Sequence, residues 1–288
     1  MPEGDTILRT AHTMDRWLSG REITAARSPM PRVAAGRLVG RTVLAVEARA
    51  KHLLVRFGPG GIGRPAGPAG PAGELTLRTH QRMAGSWYVM AAGAPWHRPA
   101  WQAQVVLEAG DRLAVCFNSP VVELFPTREI AVHPVLRALG PDVLAGPIEA
   151  GEVWGRAGAL LAPDTPVAEL LLDQRVVSGI GNIWRSESLF VCRTDPWLPW
   201  PAAGPDGLDR LAATAGELMA TQVPAMTPAS PPPPAPPGSG RHWVYGRHGR
   251  PCWRCRATVR CARLGRQART VWWCPTCQAP PPAAPATG

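Results

Sequence analysis

Ile7, Ala11, Met14 and Leu18 recur at the helical period and share one face, and Gly20 follows as a stop. Residues 4–18 are therefore predicted to form an amphipathic helix. The pattern then shortens to alternating or β-branched runs at 41–47, 52–57, 74–79, 86–90, 103–108 and 112–117, which predict antiparallel strands of a sandwich or barrel. After His133-Pro134 the period lengthens again. Helices are predicted over 133–139, 148–161, 166–176, 182–192 and 206–222, with Thr165 and Pro166 as N-cap and first-turn residue of the third. Three stretches carry no period: 59–73, 223–240 and 280–288, all rich in Gly and Pro. The first reads as a loop insertion between strands, opening at Gly58. The second, with eight prolines, reads as a stiff linker, and the third as a disordered tail.

The fold class this predicts is α+β. Residues 1–132 form an antiparallel β-sandwich domain with a leading helix, interrupted by the 58–73 insertion. Residues 133–222 form a helical domain, 223–240 the linker, 241–279 a small module and 280–288 the tail.

Composition changes this picture little. The chain of 288 residues holds 30 Gly and 34 Pro. Outside the patternless stretches roughly 250 residues remain, enough for a substantial core. A hydrophobic fraction of 45% excludes a wholly disordered chain. No run approaches the ~18 apolar residues of a spanning helix, and no basic-then-apolar leader opens the chain, so a cytoplasmic protein without membrane association is expected. Nothing reads as an assembly surface, so a monomer is expected.

The seven cysteines are an odd set, and four of them form Cys252-x-x-Cys255 and Cys274-x-x-Cys277, separated by eighteen residues. This spacing points to a reduced compartment and a tetrahedral zinc site of four cysteines, not to disulfides. Four thiolates leave no open coordination position, so one structural Zn2+ is expected. A segment this short needs the metal to fold. Gly265 suits the turn of a hairpin between the pairs, and Cys261 stands outside the ligand set.

The net charge of +10 favours polyanionic partners. From Arg241 to Cys277 there are nine arginines and no acidic residue, which marks that module as a nucleic-acid contact. Only one residue of the chain is lysine, Lys51. Lysine can release its proton at accessible pH and arginine cannot, so Lys51 is a candidate for chemistry. So is the start, Met1-Pro2-Glu3-Gly4-Asp5. Once Met1 is removed, Pro2 carries a free secondary amine. An α-amine titrates near 7.7–8, lower still at a helix N-terminus. Such an amine can attack an aldehyde-like sugar carbon, and the iminium formed withdraws electrons and promotes β-elimination. Glu3 beside it is a candidate general acid. Taken alone, Pro and Glu are also ordinary openers of a helix.

The run Leu171-Leu172-Asp173-Gln174-Arg175-Val176-Val177-Ser178-Gly179-Ile180-Gly181-Asn182-Ile183-Trp184 resembles the helix–two-turn–helix of the formamidopyrimidine-DNA glycosylase/endonuclease VIII family. The resemblance extends to Met1-Pro2-Glu3-Gly4, to Lys51, to His80-Gln81-Arg82-Met83-Ala84-Gly85-Ser86-Trp87 and to His133-Pro134-x-Leu136-x-x-Leu139-Gly140-Pro141-Asp142. It ends with Trp243-Val244-Tyr245-Gly246-Arg247, Gln267-x-Arg269-Thr270 and Cys274-Pro275-x-Cys277-Gln278. It implies a bifunctional DNA glycosylase and AP lyase of base-excision repair acting on damaged double-stranded DNA, with single-stranded or bubble DNA as a further form.

Pro2 would be the Schiff-base nucleophile, Glu3 the general acid for base loss and Lys51 the proton donor in β-elimination. Arg269, on the zinc hairpin, would contact phosphate and assist δ-elimination. Asn182 would grip the phosphate beside the flipped nucleotide. Met83 would wedge into the gap left by the extruded base, with His80, Gln81 and Arg82 beside it on DNA. Two departures favour the endonuclease VIII branch and oxidised pyrimidines: Gly4 follows Pro2-Glu3, and Phe117-Asn118-Ser119-Pro120-Val121 lacks the Arg-Phe pair of the oxidised-purine enzymes. Asp5 and Thr6 depart from the usual start of the family. The alternatives are the same chemistry on oxidised purines, and a non-catalytic relative that binds damaged DNA.

Overall fold

A computed structural model describes residues 2–59, 73–224, 226 and 242–279. Met1 and almost all of the insertion, the linker and the tail lie outside the described residues. The chain divides into two compact units, Met1–Ala138 and Leu139–Gly288.

In the first unit, α1 spans Gly4–Leu18 and buries Ile7, Ala11, Met14 and Leu18, the stripe read from the sequence. Eight strands follow: β1 (Ala25–Arg27), β2 (Val43–Arg49), β3 (His52–Phe57), β4 (Leu75–His80), β5 (Ser86–Ala91), β6 (Ala103–Ala109), β7 (Arg112–Phe117) and β8 (Val121–Pro126). They form two antiparallel four-stranded sheets, ordered β1-β6-β7-β5 and β2-β3-β4-β8. One core joins the α1 stripe to Val55 and Leu77 of one sheet and Leu107 and Cys116 of the other. Each large side chain of that stripe contributes about 1.5–3 kcal/mol by leaving water. The strand patterns do not reveal β1 or β8. Three residues are too few to show a period, and β8 follows Pro120 and ends in Pro126, which read as loop punctuation; an edge strand tolerates both. A one-turn helix, α2 (Pro134–Arg137), closes the unit, shorter than the 133–139 expected.

The second unit contains α3 (Glu152–Leu160), α4 (Val167–Leu170), α5 (Asn182–Val191), α6 (Trp200–Ala220) and the hairpin β9 (Arg260–Leu264) and β10 (Arg269–Trp273). The start of α3 is set by Gly151, at φ 75, and not at 148. The helix expected over 166–176 is a single turn, and Pro166, not Thr165, is its cap. Asp173 ends the helical path by accepting the Arg175 amide at 3.0 Å, a local turn that competes with helix. The last helix begins six residues before the expected 206. It breaks at Gly204 (φ 67, ψ 166) and restarts with Pro205, so the pattern at 206–222 reports its second segment alone.

The hairpin is not free-standing. Its Leu264 and Val271 share a core with Val176, Ile180, Leu189 and Met219 of the helical part. Among the described residues no helix is long and apolar enough to cross a membrane.

Candidate active site

In the first unit the candidate residues converge on one end. Gly20 N–H donates to the Val43 carbonyl and Val46 N–H to the Asp15 carboxylate, so α1 runs antiparallel to β2. From Asp15 back to Glu3 the helix rises ~18 Å, the length of five to six strand residues. That places the start of α1 level with the β2–β3 turn, which holds Ala50 and Lys51 and is closed by the Arg49–His52 pair. Strand β4 is in register with β3 through Leu53–Thr79, which brings His80 and the loop after it to the same end.

Glu3 caps α1 and is 1% exposed, and Pro2 before it is half-buried. Asp5 pairs with Arg9 at 3.7 Å. The loop between β4 and β5 turns tightly: the Gly85 amide donates to the Gln81 carbonyl at 2.8 Å, and a Cβ on Gly85 would sit 2.6 Å from that oxygen. Arg82 adopts φ 47, and Met83 at the tip is 65% exposed. Gln81 behaves differently from its expected place among the surface contacts, because its side chain is 2% exposed.

His80 and His52 lie ring to ring, 4.7 Å between centroids. Burial, then the nearby Arg78, His80, His133 and Arg49 charges, pull the His52 pKa down to about 2. Burial, then Arg82, Arg78 and Lys51, pull His80 down to about 4. Both rings are therefore neutral at physiological pH. Between β7 and β8, Ser119 is buried and donates to the His80 carbonyl at 3.2 Å. That turn carries Asn118 and Ser119.

In the second unit Asn182 opens α5 after Gly179-Ile180-Gly181. Gly179 has φ 96 and lies where a Cβ would meet Asp142 Oδ1 at 3.1 Å, so the turn requires glycine. Its amide is held by Gln174 Oε1 at 3.1 Å. The Asn182 side-chain oxygen accepts from Arg185, which also donates to the Thr270 carbonyl at 2.7 Å. Thus α5 is tied to the residue after Arg269. Arg269 itself is half-buried at the start of β10, 3.4 Å from Gln267 Oε1 through its Nε.

Glu187, buried one turn further along α5, accepts the amides of Trp243, Val244 and Tyr245 at 2.6, 3.0 and 2.9 Å. Gln278 completes the attachment, taking the Cys274 amide at 2.9 Å and donating to the Thr194 carbonyl at 3.0 Å. The sulfurs of Cys252, Cys255, Cys274 and Cys277 all lie within 4.8 Å of one another, with Cys252–Cys277 at 3.9 Å and Cys255–Cys274 at 3.4 Å. A tetrahedron with metal–sulfur bonds of about 2.3 Å has edges of about 3.8 Å, so this donor set fits a thiolate-bound metal ion. Cys261 stands outside it.

Sequence reasoning does not single out His52, Arg78, Glu123, Arg185 or Glu187 as site residues. The available signal is a charged or polar residue inside an otherwise apolar element.

Residues 1–120 match the formamidopyrimidine-DNA glycosylase N-terminal domain, and residues 139–225 match the formamidopyrimidine-DNA glycosylase H2TH domain. The chain is 38% identical over 296 residues to a probable endonuclease 8 2 of Streptomyces coelicolor, covering 99% of this chain and 96% of the relative. It is 33% identical to a DNA-(apurinic or apyrimidinic site) lyase of Mycolicibacterium smegmatis, covering 96% and 99%. Its fold matches that of the Lactococcus lactis formamidopyrimidine-DNA glycosylase, solved in complex with DNA containing an oxidised pyrimidine. The TM-score there is 0.76 at 19% identity, covering 97% of this chain and all of the other. With two domain matches in order and relatives aligned over nearly its whole length, the chain belongs to the formamidopyrimidine-DNA glycosylase/endonuclease VIII family of DNA glycosylases and AP lyases.

Proposed function

We propose that this protein excises oxidised pyrimidines from duplex DNA and then cuts the strand by β,δ-elimination, acting as a monomer. The observation that carries the reading is the convergence on one end of the first unit: the start of α1 with buried Glu3, the Lys51 turn and the exposed Met83 loop.

In this reading the amine of Pro2, freed by removal of Met1, attacks C1′ of the damaged nucleotide. The C1′–N bond to the base breaks, and Glu3 protonates the sugar ring oxygen as the ring opens. The iminium acidifies C2′. The C2′ proton passes to water, the C3′–O bond breaks and Lys51 protonates the departing phosphate oxygen; a second elimination, with loss of the C4′ proton to water, breaks the C5′–O bond and releases the other phosphate with help from Arg269. Hydrolysis of the iminium frees Pro2. Met83 and Arg82 fill the gap left by the extruded base, and Asn182 with the amides opening α5 grips the neighbouring phosphate. His80 lies beside this gap and Gln81 buttresses the loop from beneath. Cys252, Cys255, Cys274 and Cys277 hold one structural Zn2+, which supplies folding energy to the hairpin that carries Arg269. The preference for pyrimidines rests on Gly4 and on the small side chains of the 118–119 turn.

Borohydride trapping on a duplex with one abasic site tests the chemistry. A covalent band is expected with the processed protein and not with a Met1-retained form, and Pro2→Gly should alter it. No band from protein shown by intact mass to lack Met1 would refute the lyase assignment. Side-by-side excision of thymine glycol and 8-oxoguanine tests the substrate, with the first expected to go faster.

A further inference from the structure

The first unit contains one connected line of polar side chains, buried at its centre in Arg78 and His52, to which the chemistry above gives no step. It starts at His133, whose Nδ1 accepts the Leu136 amide at 3.4 Å as the cap of α2. With Nδ1 accepting, Nε2 is the nitrogen left to donate to the Glu123 carboxylate, 3.1 Å away. Glu123, on β8, accepts from Arg78 of the neighbouring β4 as well. Arg78 is 3% exposed, and its Nε donates to His52 Nδ1 at 3.2 Å across to β3. The His52 ring meets His80, whose Nδ1 accepts the Arg82 amide at 3.3 Å. The line crosses three strands and ends at two places: the residue after Lys51, and the loop that presents Met83.

A guanidinium buried in a sheet needs an account. A well-packed apolar side chain of similar volume is often as stable there or more so, so stability alone does not explain Arg78. Geometry does. Lys51 sits in a two-residue turn whose first member, Ala50, is held at φ 53, and the first side chain anchored after the turn is His52. Both rings must act as acceptors for these bonds to exist, and burial together with the flanking cations keeps them neutral.

We propose that Arg78, braced by Glu123, is a positioning residue: by pinning the His52 ring it fixes the Lys51 turn, and through His80 it fixes the base of the Met83 loop. The proposal rests on the reading of Lys51 as the proton donor of elimination. Arg78 itself touches no DNA in it. A side chain displaced by about 1 Å can cost two orders of magnitude in rate, so a brace of this kind acts on the chemical step and leaves the earlier adduct to Pro2.

The test uses the full-length protein and its single lysine. Metabolic labelling with 13Cε-lysine gives one side-chain methylene signal, that of Lys51. In the wild type its two protons are expected to be inequivalent, as for a side chain held in one geometry. The double variant Arg78→Met/Glu123→Gln removes the guanidinium and neutralises the partner it would strand. It should average the two protons to one narrow resonance, with Tm within a few degrees of wild type. On an abasic duplex, formation of the borohydride-trapped adduct should change less than about threefold, and elimination from the formed adduct should slow ~tenfold or more. Arg78→Lys, which keeps the charge and loses the two-sided donation, should fall between.

An unchanged Lys51 signal in the double variant overturns the proposal, and so does an equal loss of both steps. A wild type that forms no adduct overturns the functional reading as well, which separates the two failures.

Discussion

Lowering the pH from 7.5 to 5.0 should destabilise the first unit by about 2 kcal/mol through His52 alone. The ring is buried beneath Arg78, with His80, His133 and Arg49 also facing it, and its pKa falls from 6.5 to about 2. A depressed pKa means that the unfolded chain binds the proton more readily. The stabilisation is complete above 6.5 and is lost as the pH falls below it. At pH 5.0 the folded ring is still neutral, while the unfolded ring is about 97% protonated; the logarithm of that partition, at 1.36 kcal/mol per unit, gives about 2 kcal/mol. The figure is set by the unfolded value, since any folded pKa well below 5 leaves the ring uncharged. His80 acts in the same direction, screened by its greater exposure.

The assay is hydrogen exchange at the amides of β3 and β4 across a urea series, which reads this unit separately from the other, for the wild type and His52→Asn. Asparagine retains an acceptor for Arg78 and does not titrate. The stability advantage of the wild type should shrink by about 2 kcal/mol between the two pH values. A difference that stays constant, or grows on acidification, would refute the assignment of a neutral buried ring.

Three further outcomes are expected. Lys51→Ala should lose lyase activity far more than affinity for an abasic duplex, measured by fluorescence anisotropy beside single-turnover elimination rates; equal losses would remove its chemical role. Glu187→Gln keeps an oxygen for Val244 and Tyr245 and turns an NH2 group toward the Trp243 amide, two donors face to face. The hairpin attachment should weaken by about 1–3 kcal/mol, read as faster proteolysis at 242–245, and an unchanged cleavage rate would count against that buried carboxylate. Cys255→Ser should lower bound metal measured by elemental analysis and expose the hairpin to protease, whereas full metal content with a protected hairpin would exclude Cys255 from the ligand set.

The parts of this fold legible in the sequence are those where one physical signal dominates. The Ile7–Leu18 stripe gives α1 to the residue, and the cysteine spacing gives the four-sulfur cluster with Cys261 left out. The loop around Met83 is equally plain, because Gly85 sits where only a glycine fits against Gln81. Where two signals compete, the sequence is ambiguous. Residues 166–176 have a helical period, yet Asp173 closes a turn on Arg175 and leaves one helical turn. Strand β8 is masked by Pro120 before it and Pro126 at its end, and Glu123 within it looks like a surface residue until β4 places Arg78 beside it. The line from His133 to His80 depends on strand register, which no single segment encodes.

The hairpin and α5 also form a single unit of inheritance. Arg185 holds the Thr270 carbonyl, Glu187 holds three amides of the approach to Cys252, and Leu264 and Val271 complete the helical core. A hairpin transplanted from a distant relative would arrive without the helix that receives it, however well its cysteines matched. Swaps between family members should therefore tolerate exchange of both pieces together and reject either one alone. A substitution at position 185 or 187 should therefore be compensated by a change in a segment more than fifty residues away.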